Sequence, residues 1–360
     1  MNKINKIIFL NLIIFIISIL ILEIILRSAL SIKHFKNPNV NYWQKTWYRF
    51  YQPSYVEFDD KLKYIPKIIN LQKIDKPRWK KDSSITINKL KFRSNENNTL
   101  LNSKKRILTI GDSFTFGDQV SNNETWPSCL EKKTSITTDN AGLSGYGTAQ
   151  AVRRGIIESN KRKYDYLIWS VLFGDFDRDI NNDLIVKKNN KIKFNNFSKT
   201  KEKIIKRNKN LYDYLKEYLF IFYLTDREIV KKINNKFKNN DLDKIKKNKN
   251  KISIKPNKLV EFLVLNFKEI DIENKFILLQ YGDQSENLTK IEKKILNKTV
   301  NKYKEILINI ANNNNIIIID TIELFNKFTD SEKRQLWFDH HTPKGNLFVC
   351  NFLIEKIDFN

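Results

Sequence analysis

From Arg106 to its last residues the chain alternates two kinds of segment, and this rhythm restricts its fold more than any other feature. Short β-type runs, RILTI at 106–110, ITTDN at 136–140, YDYLIWSVL at 164–172, KFILLQY at 275–281 and NIIIID at 315–320, are separated by stretches of helical periodicity at 148–160, 258–271, 288–312 and 345–357. Repeated strand, helix, strand means parallel strands joined by crossover helices. The pattern therefore predicts an α/β fold of three layers, α/β/α, around a mostly parallel five-stranded sheet. The runs are nearly continuous in apolar residues, as strands covered on both faces must be.

A second constraint lies at residues 7–26, IIFLNLIIFIISILILEIIL, an apolar run interrupted only by Asn11 and Glu23. As a helix it reaches roughly 30 Å, the thickness of a bilayer core. It exceeds the apolar region of a signal peptide, so it predicts a single uncleaved transmembrane helix. Lys3 and Lys6 on one side are balanced by Arg27, Lys33 and Lys36 on the other, and charge barely selects an orientation. The expected arrangement is single-pass, with the bulk of the chain in the periplasm. The Trp/Tyr-rich stretch 41–57 suits a membrane interface. The expected organisation is a cytoplasmic tip and anchor at 1–35, a membrane-proximal lead-in at 36–105 and an α/β domain at 106–358. That domain is broken by a Lys/Asn-rich insertion at about 182–257, whose aromatic and aliphatic part at 209–237 suits a helical lid.

The 65 Lys and Arg against 40 Asp and Glu give a net charge of +25. Much of this excess lies in the insertion, and no nucleic-acid recognition module accompanies it, so nucleic acid is not an expected partner, whereas the apolar segment makes a membrane one. The only cysteines, Cys129 and Cys350, are too few for a disulfide framework or a thiolate zinc site. Buried packing in helices is their expected role, with a disulfide permitted outside the cytoplasm. Neither a metal nor an organic cofactor is expected.

Three segments carry chemistry. In RILTIGDSFTFGDQV, 106–120, a strand runs into Gly111-Asp112-Ser113, which lifts Ser113 into the crevice above the strand ends as a candidate nucleophile. The same turn is also compatible with an ordinary helix cap. A serine nucleophile needs a base and an acid to orient it. Of the three histidines, His34 lies beside the anchor, leaving His340 and His341 in WFDHHTPKGNLFVCNFL, 337–353. In an extended segment residues i and i+2 share a face, which pairs Asp339 with His341 and turns His340 away. In TDNAGLSGYGTAQAV, 138–152, Gly142, Gly145 and Gly147 let backbone N–H groups approach a developing negative oxygen.

Together and in this order, these segments resemble the SGNH or GDSL hydrolase family, whose sheet is flavodoxin-like. The resemblance implies Ser113 as nucleophile, with its own N–H and that of Gly145 as the oxyanion hole; Gly142 is an alternative donor. It also implies Asp339 and His341 as acid and base. His340 is an alternative base, since counting backward from Thr342-Pro343 selects it instead. FDDKLKYIP and ITINKLKFRSNE look like the lead-in of membrane-anchored members. One departure stands out: the family's Gly-x-Asn-Asp block reads Gly174-Asp175-Phe176-Asp177 here, and an anionic Asp175 cannot donate to an oxyanion. Asn181, Arg178 or a water is then expected to substitute. The implied activity is hydrolysis of an acyl, expectedly O-acetyl, ester on a glycan or small molecule. Its rivals are O-acyl transfer to a cell-surface polysaccharide and a non-catalytic binding module on the same scaffold.

Overall fold

The computed structural model describes residues 3–35, 56–74, 83–95, 104–189, 191–197, 254–282, 303–338 and 340–359. The chain divides into two compact units. The described part of the first is one helix, α1 (Lys3–Phe35), whose segment Asn5–Ile25 is long and apolar enough to cross a membrane. Apolar side chains along it, among them Phe9, Leu12, Phe15 and Ile24, are exposed.

The second unit opens with two antiparallel strand pairs, β1 (Val56–Asp59) with β2 (Lys63–Pro66) and β3 (Ile69–Ile74) with β4 (Ser83–Ile87). Its centre is a sheet of β5 (Arg106–Ile110), β6 (Thr137–Asn140), β7 (Tyr166–Val171), β10 (Asn274–Leu279) and β11 (Ile317–Asp320). Their order is β11-β10-β7-β5-β6, and every neighbouring pair is parallel. All five expected runs are strands of this sheet. Between β7 and β10 lies the antiparallel pair β8 (Ile185–Lys188) and β9 (Lys191–Phe194). Residues 198–253 of the insertion, including the lid expected at 209–237, lie outside the described residues.

Alternation along each strand builds two cores. Leu108 and Ile110, Leu167, Trp169 and Val171, and Ile277 and Leu279 point to one face, where α4 (Thr148–Ser159), α6 (Pro256–Lys268) and helix 303–313 pack. Ile107, Tyr166, Ile168, Phe276 and Leu278 point to the other, against α3 (Trp126–Thr134) and α10 (Pro343–Lys356). Each fully buried large side chain contributes roughly 1.5–3 kcal/mol. In chain order the strands run 2-1-3-4-5 across the sheet, so the order reverses between β5 and β7. Ligands in such sheets bind in the crevice at the carboxyl ends of the strands at that reversal.

On the second face the structure departs from the expected packing of free cysteines. Cys129 of α3 and Cys350 of α10 form a disulfide, their Cα atoms 6.0 Å apart and 221 residues apart in sequence. The disulfide thereby ties α3, which begins 13 residues after Ser113, to α10, which follows the histidines. Opening so long a loop costs about 3–5 kcal/mol of stability. Melting curves with and without reductant should accordingly differ by more than 5 °C, and superimposable curves would contradict this.

Candidate active site

The Gly-Asp-Ser turn grows out of β5. A Cβ on Gly111 would lie 2.2 Å from Thr115 Oγ1 and 3.0 Å from the Ser170 carbonyl of β7, so only glycine lets the chain leave the sheet here. Asp112 caps the short helix α2 (Ser113–Phe116), its carboxylate accepting from Phe114 N at 3.0 Å. Ser113 is therefore the first residue of α2 at the end of β5, beside β7, where the strand order reverses. Its carbonyl receives Gly117 N at 2.9 Å and Asp118 N at 3.0 Å, which fold the following residues back over it.

A residue that sequence reading missed holds this turn. Arg93 is buried and donates to the carbonyls of Phe116 at 2.9 Å, Gly117 at 2.6 Å and Val120 at 2.5 Å, and to Asn122 Oδ1 at 3.2 Å. Its guanidinium lies 4.9 Å from the centre of the Phe116 ring.

The second half of the site is a small antiparallel pair, β12 (Trp337–Phe338) with β13 (His340–His341). It brings His340 Nε2 to 2.8 Å from Ser113 Oγ, across 227 residues of sequence. The imidazole beside the serine is thus that of His340, and the expected pairing with His341 is corrected. The two histidines do point to opposite faces, as an extended segment requires. The face toward Ser113 is the one that the same-face argument had turned away. Asp339 lies outside the described residues.

His341 has a different setting. It is buried, its ring stacks on Tyr281 at 4.3 Å and meets the edge of Phe114 at 4.8 Å, and its Nε2–H donates to the Tyr281 carbonyl at 2.8 Å. Phe114 lies 5.0 Å from the His340 ring as well, so His341 backs the wall on which the Ser113–His340 pair rests. Burial lowers its pKa from 6.5 to about 3. Between those values the unfolded chain carries the extra proton, so this group makes stability fall as pH drops from about 6.5 toward 3. The loss approaches roughly 3–5 kcal/mol at one pKa unit per 1.36 kcal/mol. Denaturant titrations across this pH range should show a shallower acid limb in His341→Asn, and parallel limbs would refute the assignment.

The two halves are joined beneath the site. Asn346 of α10 accepts Trp126 N at 3.0 Å through Oδ1 and donates to the His341 and Thr342 carbonyls, and Trp126 Nε1 donates to the Phe114 carbonyl at 3.2 Å. The Cys129–Cys350 bond closes the same helix pair.

Among the glycines after β6, Gly142 N–H already donates to Asn140 Oδ1 at 3.2 Å, and a Cβ there would lie 2.6 Å from Phe116 N. Its role is close packing under the Gly-Asp-Ser turn, which removes it as an alternative oxyanion donor. Gly145 adopts φ +80°, a left-handed conformation that favours glycine, and the Tyr64 hydroxyl stands 3.2 Å from where its Cβ would be. Tyr64, from β2, is a further residue that sequence reading did not single out. Burial pushes its phenol up to about 12.

Asp175 begins α5 (Asp175–Asn181) and is buried, with Arg178 Nη1 2.6 Å from its Oδ1. Its carboxyl lies near that of Asp112, also buried. Burial, and then the charge of Asp112, raise the Asp175 carboxyl well above the usual carboxylate range, with Arg178 opposing. Burial beside a second carboxyl thus favours the protonated form of Asp175 more than the plain anion expected from sequence would allow. Of the expected substitutes for the missing amide, Asn181 is exposed at the far end of α5, whereas Arg178 donates to the Tyr146 carbonyl at 3.1 Å, next to Gly145.

Asp118 was also missed. Its Oδ2 lies 3.9 Å from His340 Nε2 and accepts the Ser144 hydroxyl.

No protein-family model and no curated protein matches the chain. Among solved structures its neighbours are lipolytic and esterase proteins. One is a protein from Desulfitobacterium hafniense DCB-2 assigned to the G-D-S-L lipolytic family, at 13% identity over 71% of this chain and 100% of that one, TM-score 0.36. A second is LAE5, an α/β hydrolase from the metagenome of Lake Arreo, at 12% identity over 70% and 94%, TM-score 0.39. A third is the acetylxylan esterase Axe2 from Geobacillus stearothermophilus, at 15% identity over 73% and 98%, TM-score 0.38.

Proposed function

We propose that this protein is a membrane-anchored serine hydrolase of the SGNH type that cleaves acyl esters, with an O-acetylated glycan or small molecule as its substrate class. The observation that carries the reading is the 2.8 Å contact between Ser113 Oγ and His340 Nε2 at the strand-order reversal of a parallel sheet. A hydroxyl at this distance can pass its proton to the imidazole as its oxygen attacks an ester carbonyl. The negative charge that develops on the carbonyl oxygen would be received by the N–H groups of Ser113 and Gly145, with Arg178 supplying positive potential where the family has an amide. His340 then protonates the departing alcohol. Asp339, next in sequence, is the acid that the family resemblance assigns to steady the imidazolium.

Helix α1 supports the anchor, and the Cys129–Cys350 bond supports an oxidising compartment, hence a catalytic domain on the periplasmic side. The full chain in detergent micelles should hydrolyse 4-nitrophenyl acetate, and Ser113→Ala should remove that activity; equal turnover in the variant would overturn the reading. Following a labelled acetyl group into acetate or onto an added oligosaccharide separates hydrolysis from transfer.

A further inference from the structure

We propose that Asp118 binds the acceptor of the second half-reaction, the hydroxyl compound that removes the acyl group from Ser113. This rests on the serine-hydrolase reading and extends it to the acceptor.

In the acylated protein Ser113 Oγ has no proton to give, and the lone pair on His340 Nε2 is open to the O–H of an incoming nucleophile. Asp118 Oδ2 lies 3.9 Å from that nitrogen, too far for a direct hydrogen bond. One oxygen atom, however, can stand about 2.8 Å from both, as a bridging water does. The side chains of Asp118 and His340 are each 22% exposed, whereas Ser113 is 6% exposed, so the site meets solvent on this side of the imidazole. The carboxylate is also held in place. Ser144 donates to Oδ2, and Asp118 N–H donates to the Ser113 carbonyl at 3.0 Å. A carboxylate has about four acceptor positions, so Ser144 leaves room for another donor.

This geometry selects an acceptor class. The nucleophile must offer one O–H to His340 and a second to Asp118. Water carries both on one oxygen, and a sugar with neighbouring hydroxyls carries them on adjacent oxygens; a simple alcohol has only one. In the step itself the acceptor O–H proton goes to His340 Nε2 while its oxygen bonds to the acyl carbon. The carbon–Oγ bond then breaks, its electron pair returns to Oγ, and His340 delivers the proton there. Asp118 gains and loses no proton in this step.

The test uses the full chain in detergent micelles with 4-nitrophenyl acetate. Asp118→Ala should still release a first equivalent of nitrophenol, then turn over 10- to 100-fold more slowly, with acetylated Ser113 detected by mass spectrometry. In the native protein ethylene glycol should capture the acetyl group about tenfold better than methanol at equal hydroxyl concentration, a preference worth one hydrogen bond, and Asp118→Ala should lose it. Ser144→Ala, which keeps the carboxylate but frees it, should show the same pattern more weakly. An equal loss of first-equivalent and steady-state rates, or an unaltered glycol-to-methanol ratio, would overturn the proposal. Absence of nitrophenol release from the native protein would refute the hydrolase reading itself, and this inference with it.

Discussion

His340→Ala lowers kcat/KM for an acetyl ester by about 10⁴-fold or more, the usual cost of removing the base of a serine–histidine pair. His341→Asn keeps kcat/KM within about tenfold of native. The two rings are adjacent in sequence, yet only one has its Nε2 at the serine; the other spends its Nε2–H on the Tyr281 carbonyl between two aromatic rings. His341→Asn instead lowers stability by about 2–4 kcal/mol, because it leaves a gap in a packed aromatic wall. Steady-state kinetics and melting curves on both variants separate the roles. A catalytic loss in His341→Asn with His340→Ala intact would reverse the assignment.

The second large effect falls on folding. Arg93→Met removes a buried guanidinium that donates to three carbonyls of the loop following Ser113, at 2.9, 2.6 and 2.5 Å. Those carbonyls lose their donors inside the protein, at about 1–3 kcal/mol each when nothing replaces them. Allowing for partial hydration of the relaxed loop, the expected loss is about 3–5 kcal/mol by urea denaturation. Arg93→Lys should recover little, because a single ammonium cannot span carbonyls that a planar fork reaches together. Since the same loop carries Ser113 and Asp118, residual folded protein should also turn over more slowly. A loss under about 1 kcal/mol in Arg93→Met would show that the loop holds itself.

The sheet was legible because a strand covered on both faces must be apolar along its length. Runs such as YLIWSV and KFILL have few other stable settings. The serine was legible for a related reason: a Gly-Asp-Ser turn straight after such a run has to rise above the sheet. The choice between His340 and His341 was not legible. Alternation says that neighbours face opposite ways, but which way is inward depends on how the β12–β13 pair lies against α2, a tertiary fact. The Cys129–Cys350 bond was hidden likewise, since two helices 221 residues apart become neighbours only when the sheet is covered. The setting of Asp175 was not legible either. An aspartate is anionic by default, and only its burial beside Asp112 raises its affinity for a proton. Arg93 and Asp118 carried a faint signal: an arginine closing the alternating basic and apolar stretch KLKF-R, and a carboxylate five residues beyond the serine on a chain that must fold back.

The central claim is that Ser113 is made nucleophilic by His340, and a fluorophosphonate probe reads this directly. Peptide mapping of the labelled full-length protein should find the adduct on Ser113 in the native and His341→Asn forms, with labelling lost in Ser113→Ala and slowed at least 100-fold in His340→Ala. An adduct on another residue, or equal labelling rates in the native and His340→Ala proteins, would contradict it.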